Sequence, residues 1–253
     1  IMEAGNFRFF GMVSFRDPLR PQVASAIRHI AAAGVRTVIV TGDHRGTAES
    51  VARSLGMIDG HGRVLTGEDL VHLSPKELTA VADEVAVYAR VTPEQKAMLV
   101  RFYQERGEVV AVTGDGVNDA PALNAADIGV AVGSGTDVTK NAADLVILDD
   151  NFQTIVSAIE EGRGILENIR KVIVYLLSDS LDELLLIGGA LVFGIALPLN
   201  ALQILFVNFF SDSFPALAFA FERGVGGLGA RPRKDGGIVD RRMRVLIVAV
   251  GFS

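Results

Sequence analysis

A chain of 253 residues that is 49% hydrophobic, with a mean hydropathy of +0.36, is too apolar for an ordinary soluble domain and has room for a domain plus membrane segments. Its formal net charge of -6 carries no electrostatic footprint for nucleic acid, and the absence of cysteine rules out disulfides and thiolate metal sites within it.

Up to about Arg170, short β-branched runs alternate with helical patterns. Val35 to Val40 precedes a helical stretch from Thr47 to Leu55, Val85 to Val91 precedes Pro93 to Arg106, and Val109 to Thr113 precedes Val117 to Ala126. Two further runs, Ile128 to Val132 and Leu145 to Leu148, follow. This alternation predicts a mostly parallel sheet covered by helices, in which ligands bind at the carboxyl ends of the strands. Thr113 to Asp119, TGDGVND, sits at such an end, and its glycines let backbone amides approach an anion. Asp115 and Asp119 are four residues apart, so a helix beginning near Val117 lets both face one crevice with Asn118 between them. Hard oxygen ligands in that arrangement suit Mg²⁺ and a phosphoryl group. Read as a lone GDG, the same residues would be a turn and a helix cap.

Past Lys171 the pattern changes. Val172 to Ala196 and Ala201 to Phe221 are each long enough for the ~20 residues of a membrane helix, with Leu197-Pro198-Leu199-Asn200 as the turn between them. The expected organisation is an α/β domain over residues 1–170, two transmembrane helices within 171–221 (172–196 and 201–221), a basic loop over 222–242, and the start of a third transmembrane helix over 243–253. With no initiator methionine or signal peptide, and a last apolar run from Val245 to Phe252 that is short of a span, both ends read as cut. Arg223, Arg231, Arg233, Lys234, Arg241, Arg242 and Arg244 crowd the last loop, whereas the turn around Pro198 is uncharged. By the positive-inside rule the basic loop and the α/β domain are cytoplasmic.

Asp179, Asp182 and Glu183 fall in the first span and Asp212 in the second. Each carboxylate costs about 2.5 to 3.5 kcal/mol on insertion scales, a heavy penalty for a passive anchor. Ser180 and Glu183 can share one helix face, as can Asn208 and Asp212, so the four could line an oxygen-rich cavity near the midplane. Pro215 leaves the carbonyl of Ser211 without its usual amide donor, which can loosen the helix beside Asp212.

TGDGVND resembles a signature of the P-type cation-transporting ATPases, and other segments match that family in order. DPLRP (Asp17 to Pro21) is similar to the segment where the family's nucleotide domain rejoins its phosphorylation domain, VTGDH (Val40 to His44) to its TGD motif, and ARVTPEQKAMLV (Ala89 to Val100) to the segment supplying its lysine. YLLSDSLDE (Tyr175 to Glu183) and VNFFSDSFPA (Val207 to Ala216) resemble the fifth and sixth membrane helices of type II, calcium-pump-like members.

The resemblance implies an incomplete phosphorylation domain of haloacid-dehalogenase-like, Rossmannoid α/β fold, followed by all-α transmembrane helices. It implies Mg²⁺ on Asp115, with Asn118 and Asp119 orienting metal and phosphate from behind it, and Lys96 neutralising charge. Thr41 and the Gly42 amide would bond a phosphoryl oxygen, while Asp43, Asp17 and Arg20 would help place ATP. Ser180, Glu183, Asn208 and Asp212 become ligands of a transported inorganic cation, Ca²⁺ first and Na⁺ or K⁺ next. Ser180 stands where calcium pumps usually have asparagine. Asp179 and Asp182 are then cation contacts or lip-facing carboxylates. The family's phosphorylated aspartate lies in a DKTGT motif, and no Asp-Lys-Thr-Gly occurs here. The expectation is therefore a fragment of an ATP-driven pump in the lipid bilayer, most simply the plasma membrane, inactive without its missing N-terminal part. Other readings are a membrane-tethered phosphatase of the dehalogenase superfamily and a non-catalytic regulatory relative. Taken singly, Lys96 is a solvated surface lysine and Thr41 a helix cap, while Asp127, Asp137 and Asp144 are surface or capping residues.

Overall fold

A computed structural model of the chain describes residues 10–13, 18–58, 62–222 and 238–251. In chain order the α/β part runs α1 (Val23–Ala32), β1 (Ile39–Val40), α2 (Arg45–Ser54), β2 (Arg63–Thr66), α3 (Gly67–His72), α4 (Pro75–Val81), β3 (Val85–Ala89), α5 (Pro93–Glu105), β4 (Ala111–Gly114), α6 (Ala120–Ala125), β5 (Ile128–Val132), α7 (Asp137–Ala142) and β6 (Leu145–Ile147). Every strand pairing is parallel, as the alternation requires. The expected sheet is divided in two, however, with orders β1-β3-β2 and β4-β5-β6. Among the described residues β1 and β4 are each paired on one side only. The strand β2 has no counterpart in the apolar runs because its four residues include one buried position, Val64, too few to show a period.

All five residues of β3 are buried, which explains why VAVYA is continuously apolar instead of alternating. Ala48 and Ala52 of α2 pack with Val64, Val87 and Ala89 in one cluster, and Leu70, Leu78, Tyr88 and Leu99 form another. Burial of a side chain such as Leu99, 2% exposed, contributes about 2 kcal/mol. The helix α5 starts where the Thr92 hydroxyl accepts the Gln95 amide, the Gln95 side-chain oxygen accepts the Thr92 amide, and Pro93 supplies a preset φ. That start places Lys96 in the first turn, facing the end of β4.

Beyond the sheets, α8 (Phe152–Phe193) is a single helix of 42 residues, about 63 Å long. It passes straight through the domain boundary expected at residue 170, because nothing between Phe152 and Phe193 breaks a helix: no proline occurs there, and Gly162, Gly164, Gly188 and Gly189 are tolerated. The helix ends at Gly194, whose φ of 66° supplies the left-handed cap. Its first turns bury Val156 against Ala26 and Ile30 of α1, and Arg163 donates to the Ala33 carbonyl at 2.7 Å. Asn200 then caps α9 (Ala201–Phe206), which continues through a π-helical turn (Val207–Asp212) into α10 (Ser213–Ala220). The segment Ala201–Ala220, 20 residues with a hydropathy of 1.3, is the one helix among the described residues that is long and apolar enough to cross a membrane by that measure. The other expected span is the second half of α8, in which Asp179, Asp182 and Glu183 interrupt the apolar stretch. A last helix, α11 (Arg241–Gly251), packs on α8, where a Cβ on Gly251 would lie 2.9 Å from the Leu181 side chain. Most of the expected basic loop, residues 223–237, lies outside the described residues.

Candidate functional site

The loops after β1, β3 and β4 carry the first group of residues. Thr41 leaves β1 with its amide bound to the Tyr88 carbonyl at 2.9 Å, and its hydroxyl accepts the Asp43 amide at 3.1 Å. Arg90, at a φ of 52°, donates its amide to the Asp43 carbonyl at 3.0 Å, and Val91 donates to the Thr41 carbonyl at 3.2 Å. The Thr41-Gly42-Asp43 turn is thus tied to the end of β3. Thr41 is not the helix cap, since His44 fills that position in α2 and accepts the Gly46 amide.

Lys96 is no solvated lysine. Its Nζ lies 2.6 Å from Asp119 Oδ1, and the two side chains are only 15% and 16% exposed. Asp119 Oδ2 accepts the amides of Asp115 at 3.3 Å and Gly116 at 3.2 Å. The carboxylate is therefore occupied in holding the loop to the lysine. Gly114 is required beside it, because a Cβ there would sit 2.5 Å from Asp119 Cβ. Asp115 and Asn118 differ from Asp119: both are exposed, and no hydrogen bond from a described residue reaches either side chain. Among the described residues no cluster of three or more acidic, histidine or cysteine side chains could hold a metal ion. One free carboxylate beside a lysine-held second still fits Mg²⁺, which keeps several waters and shares oxygens with a bound phosphate.

One part of this site carries no motif. The amide of Thr136 donates to the Asp115 carbonyl at 3.1 Å, and a Cβ on Gly135 would lie 3.2 Å from that same oxygen. The Gly133-Ser134-Gly135 loop after β5 thus lies directly against Asp115, and two glycines at a fourth strand end are the signal that could have revealed it. Asp150 accepts the Ser134 amide at 3.0 Å, which holds its carboxyl below the ordinary aspartate range. Arg20 donates to the Asp150 carbonyl, and none of its described hydrogen bonds reaches Thr41, Gly42 or Asp43. Asp17 lies outside the described residues. Asp127 accepts the Val110 amide and Asp144 the Gly129 amide, so both tie strand ends, and Asp137 lies in the first turn of α7.

The second group lies between α8 and the helix formed by α9, the π turn and α10. Asn208 donates to Glu183 Oε2 at 3.4 Å, while Glu183 Oε1 is buried with no hydrogen-bond partner among the described residues. Asp212 is 6% exposed, whereas Asp182 is exposed. A cavity of about 450 Å³ opens between the helices, and its polar lining is Ser180, Asn208, Asp212 and Ser213. Ser180 donates its hydroxyl to the Leu176 carbonyl at 2.9 Å, leaving only its oxygen lone pairs for the cavity. The π turn ends three residues before Pro215, in the helix that the proline was expected to loosen.

Comparisons with known proteins match separate stretches of the chain. A family model for haloacid dehalogenase-like hydrolases matches residues 2–127, a second one of that description matches residues 96–159, and the model for the cation-transporting ATPase C-terminus matches residues 196–253. A calcium-transporting ATPase of Bacillus subtilis is 46% identical over 245 residues, covering 96% of this chain and 28% of that protein. A probable cation-transporting ATPase F of Mycobacterium tuberculosis is 45% identical over 236 residues, covering 91% of this chain and 26% of that protein. The chain thus spans 28% and 26% of the lengths of these two curated relatives. Among solved structures, a zinc-transporting PIB-type ATPase in an E2.Pi state matches with a TM-score of 0.58 and 28% identity, over 81% of this chain and 27% of that one.

Proposed function

Because this chain belongs to the P-type cation-transporting ATPases, a membrane-associated family, we propose that it supplies two parts of an ATP-driven pump: the metal and phosphate end of the phosphorylation site, and half of a hard-cation site. The observation that carries the reading is the pairing of Lys96 with Asp119 at 2.6 Å, which leaves Asp115 as the free carboxylate of that loop. Asp115 would hold Mg²⁺, whose chemistry when bound is to neutralise charge on a transferring phosphoryl group. Lys96 adds a fixed positive charge, Asn118 stands beside Asp115, and Thr41 with the Gly42 amide offers donors from the neighbouring strand end. Asp43 remains a candidate for nucleotide placement, and Asp17 and Arg20 are candidates of the same kind.

The nucleophilic aspartate of the phosphorylation reaction would be contributed from outside this chain's Asp-Lys-Thr-Gly-free sequence. The free edges of β1 and β4 are suited to a strand that carries it. We expect the chain alone neither to form an aspartyl-phosphate nor to hydrolyse ATP; acid-stable incorporation of label from γ-labelled ATP would refute this.

For the cargo, Glu183, Asn208 and Asp212, with the Ser180 oxygen, form a charge-rich oxygen set of the type that binds Ca²⁺ before Na⁺ or K⁺. The α/β domain would face the cytoplasm, across a plasma membrane. In the full-length protein Glu183→Gln and Asp212→Asn should each abolish Ca²⁺-stimulated phosphorylation. Stimulation that survives both changes would remove Ca²⁺ as the cargo.

A further inference from the structure

The Asp115 side chain is exposed and receives no hydrogen bond from a described residue, so the direction of its carboxylate is set by the backbone that carries it. Two arms fix that backbone. On the amino side the Asp115 amide donates to Asp119 Oδ2, on the carboxylate that pairs with Lys96. On the carboxyl side the Asp115 carbonyl accepts the Thr136 amide at 3.1 Å. The first arm is built from motif residues, whereas the second runs through residues that no motif names.

This second arm is a loop wedged between two stretches of backbone. Gly135 lies against Asp115, where a Cβ would meet the Val132 carbonyl oxygen at 3.0 Å and the Asp115 carbonyl oxygen at 3.2 Å. Gly133 lies against the end of β6. Its amide donates to the Ile147 carbonyl at 2.7 Å, and a Cβ there would sit 2.8 Å from the Leu148 carbonyl oxygen. Neither neighbour is a flexible side chain, so a shift at the end of β6 is passed on to Asp115. Between the two glycines Ser134 donates its amide to Asp150 Oδ1 at 3.0 Å. Asp150 has a φ of 49°, and Arg20 donates to its carbonyl. The turn is rooted in α8, where Thr154 donates its hydroxyl to Asp149 Oδ2 at 2.7 Å and Asn151 accepts the Gln153 amide at 3.0 Å.

We propose that Asp150 is a positioning residue for the metal at Asp115: it holds Ser134, and through the loop 133–136 it fixes the carbonyl side of the Asp115 peptide. Its carboxylate acts as a hydrogen-bond acceptor for the Ser134 amide and not as a metal ligand. A lone free carboxylate gains affinity from being held in place, because Mg²⁺ demands near-ideal octahedral geometry and the groups behind a ligand set its orientation. This inference rests on the Mg²⁺ reading of Asp115 above.

The test uses Mn²⁺, an oxygen-binding octahedral probe for Mg²⁺, titrated by electron paramagnetic resonance into the whole chain in lipid nanodiscs. Glu183→Gln and Asp212→Asn are present throughout to silence the second oxygen cluster, and denaturant midpoints show that each variant is folded. Asp150→Gly suits the left-handed backbone but removes the acceptor, and should weaken Mn²⁺ binding about tenfold. Gly135→Ala, which presses on the Asp115 carbonyl with Asp150 intact, should weaken it in the same direction. Asp150→Asn keeps an acceptor oxygen and tolerates the same φ, and should restore affinity to within about twofold of the parent. Asp144→Ala removes a similar tie, to the Gly129 amide at the amino ends of β5 and β6. It should leave affinity unchanged even where the denaturant midpoint falls as far.

Unchanged affinity in Asp150→Gly or in Gly135→Ala overturns the proposal, because the loop then passes nothing to Asp115. An Asp150→Asn as weak as Asp150→Gly overturns it as well, by showing an effect of charge at a distance, and an equal loss in Asp144→Ala would show general loosening. Asp115→Ala separates the two claims. If it abolishes Mn²⁺ binding that Asp150→Gly leaves intact, the metal reading stands and the positioning role falls. If it leaves Mn²⁺ binding unchanged, the metal reading falls and takes the positioning role with it.

Discussion

The loop around Asp119 shows how a single glycine can be dictated by a carboxylate five residues away. Asp119 accepts two loop amides and pairs with Lys96, so it cannot retreat without losing all three partners. A Cβ at Gly114 would meet Asp119 Cβ at 2.5 Å and Cγ at 2.9 Å, well inside any real contact. Gly114→Ala should therefore destabilise the α/β domain by about 2 kcal/mol, as overpacking does. In an Asp119→Gly background, where the clashing atoms are gone, the same change should cost less than about 0.5 kcal/mol, the scale expected when no contact is disturbed. Denaturant midpoints of the four proteins give the comparison, and equal costs in both backgrounds would mean that the loop has moved away from Asp119. Lys96→Met leaves a carboxylate that is 16% exposed without its cation, and should cost on the order of 3 kcal/mol. A loss below about 0.5 kcal/mol in the same unfolding measurement would return Lys96 to the status of a surface lysine.

At the scale of elements, the π turn between α9 and α10 sets which side chains face α8. A π turn inserts one residue into the helical phase, so residues on its two sides are rotated by about 100° relative to an unbroken α-helix. Asn208 and Asp212 both lie inside it, and Pro215 withholds the amide that a regular helix would offer to Ser211. Pro215→Ala restores that donor and should let the segment revert to α-helix. Since α10 packs on α8, the rotation falls on α9 and the approach of Asn208 to Glu183 at 3.4 Å is lost. Disulfide formation between Glu183→Cys and Asn208→Cys should then fall several-fold on adding Pro215→Ala. Equal cross-linking would show that other contacts hold the turn. The sequence revealed the proline and the spacing of the two polar residues, but the π turn itself depends on tertiary packing. α8 shows the complementary limit: hydropathy located its apolar half, whereas helical continuity across residue 170 leaves no mark in hydropathy.

For the whole molecule, the strand ends with motifs were legible because TGDGVND and the segment around Lys96 combine glycine, carboxylate and lysine at the ends of buried runs. The Gly135–Thr136 support under Asp115 was not, because its contacts are backbone to backbone and name no side chain. Nor was the division of the sheet, since β1 and β4 read as ordinary apolar runs whether paired on one side or two. That division has a measurable consequence. In a parallel sheet successive residues of a strand direct their amides to opposite neighbours. β3 lies between β1 and β2, pairs with β2 along most of its length and with β1 at Val87 and Tyr88, and all five of its residues are buried. Among the described residues β4 pairs only with β5, through Ala111, Val112, Thr113 and Gly114, and burial along it alternates. Hydrogen exchange resolved to single residues should therefore alternate between slow and fast along Ala111–Gly114, because every second amide faces the unpaired edge. Across Val85–Ala89 it should be uniformly slow. Uniform protection of β4 in this chain would mean that its edge is covered, and a further strand would then have no place beside Asp115. Alternating protection that becomes uniform in the full-length protein would show that edge being filled next to Asp115 and Lys96.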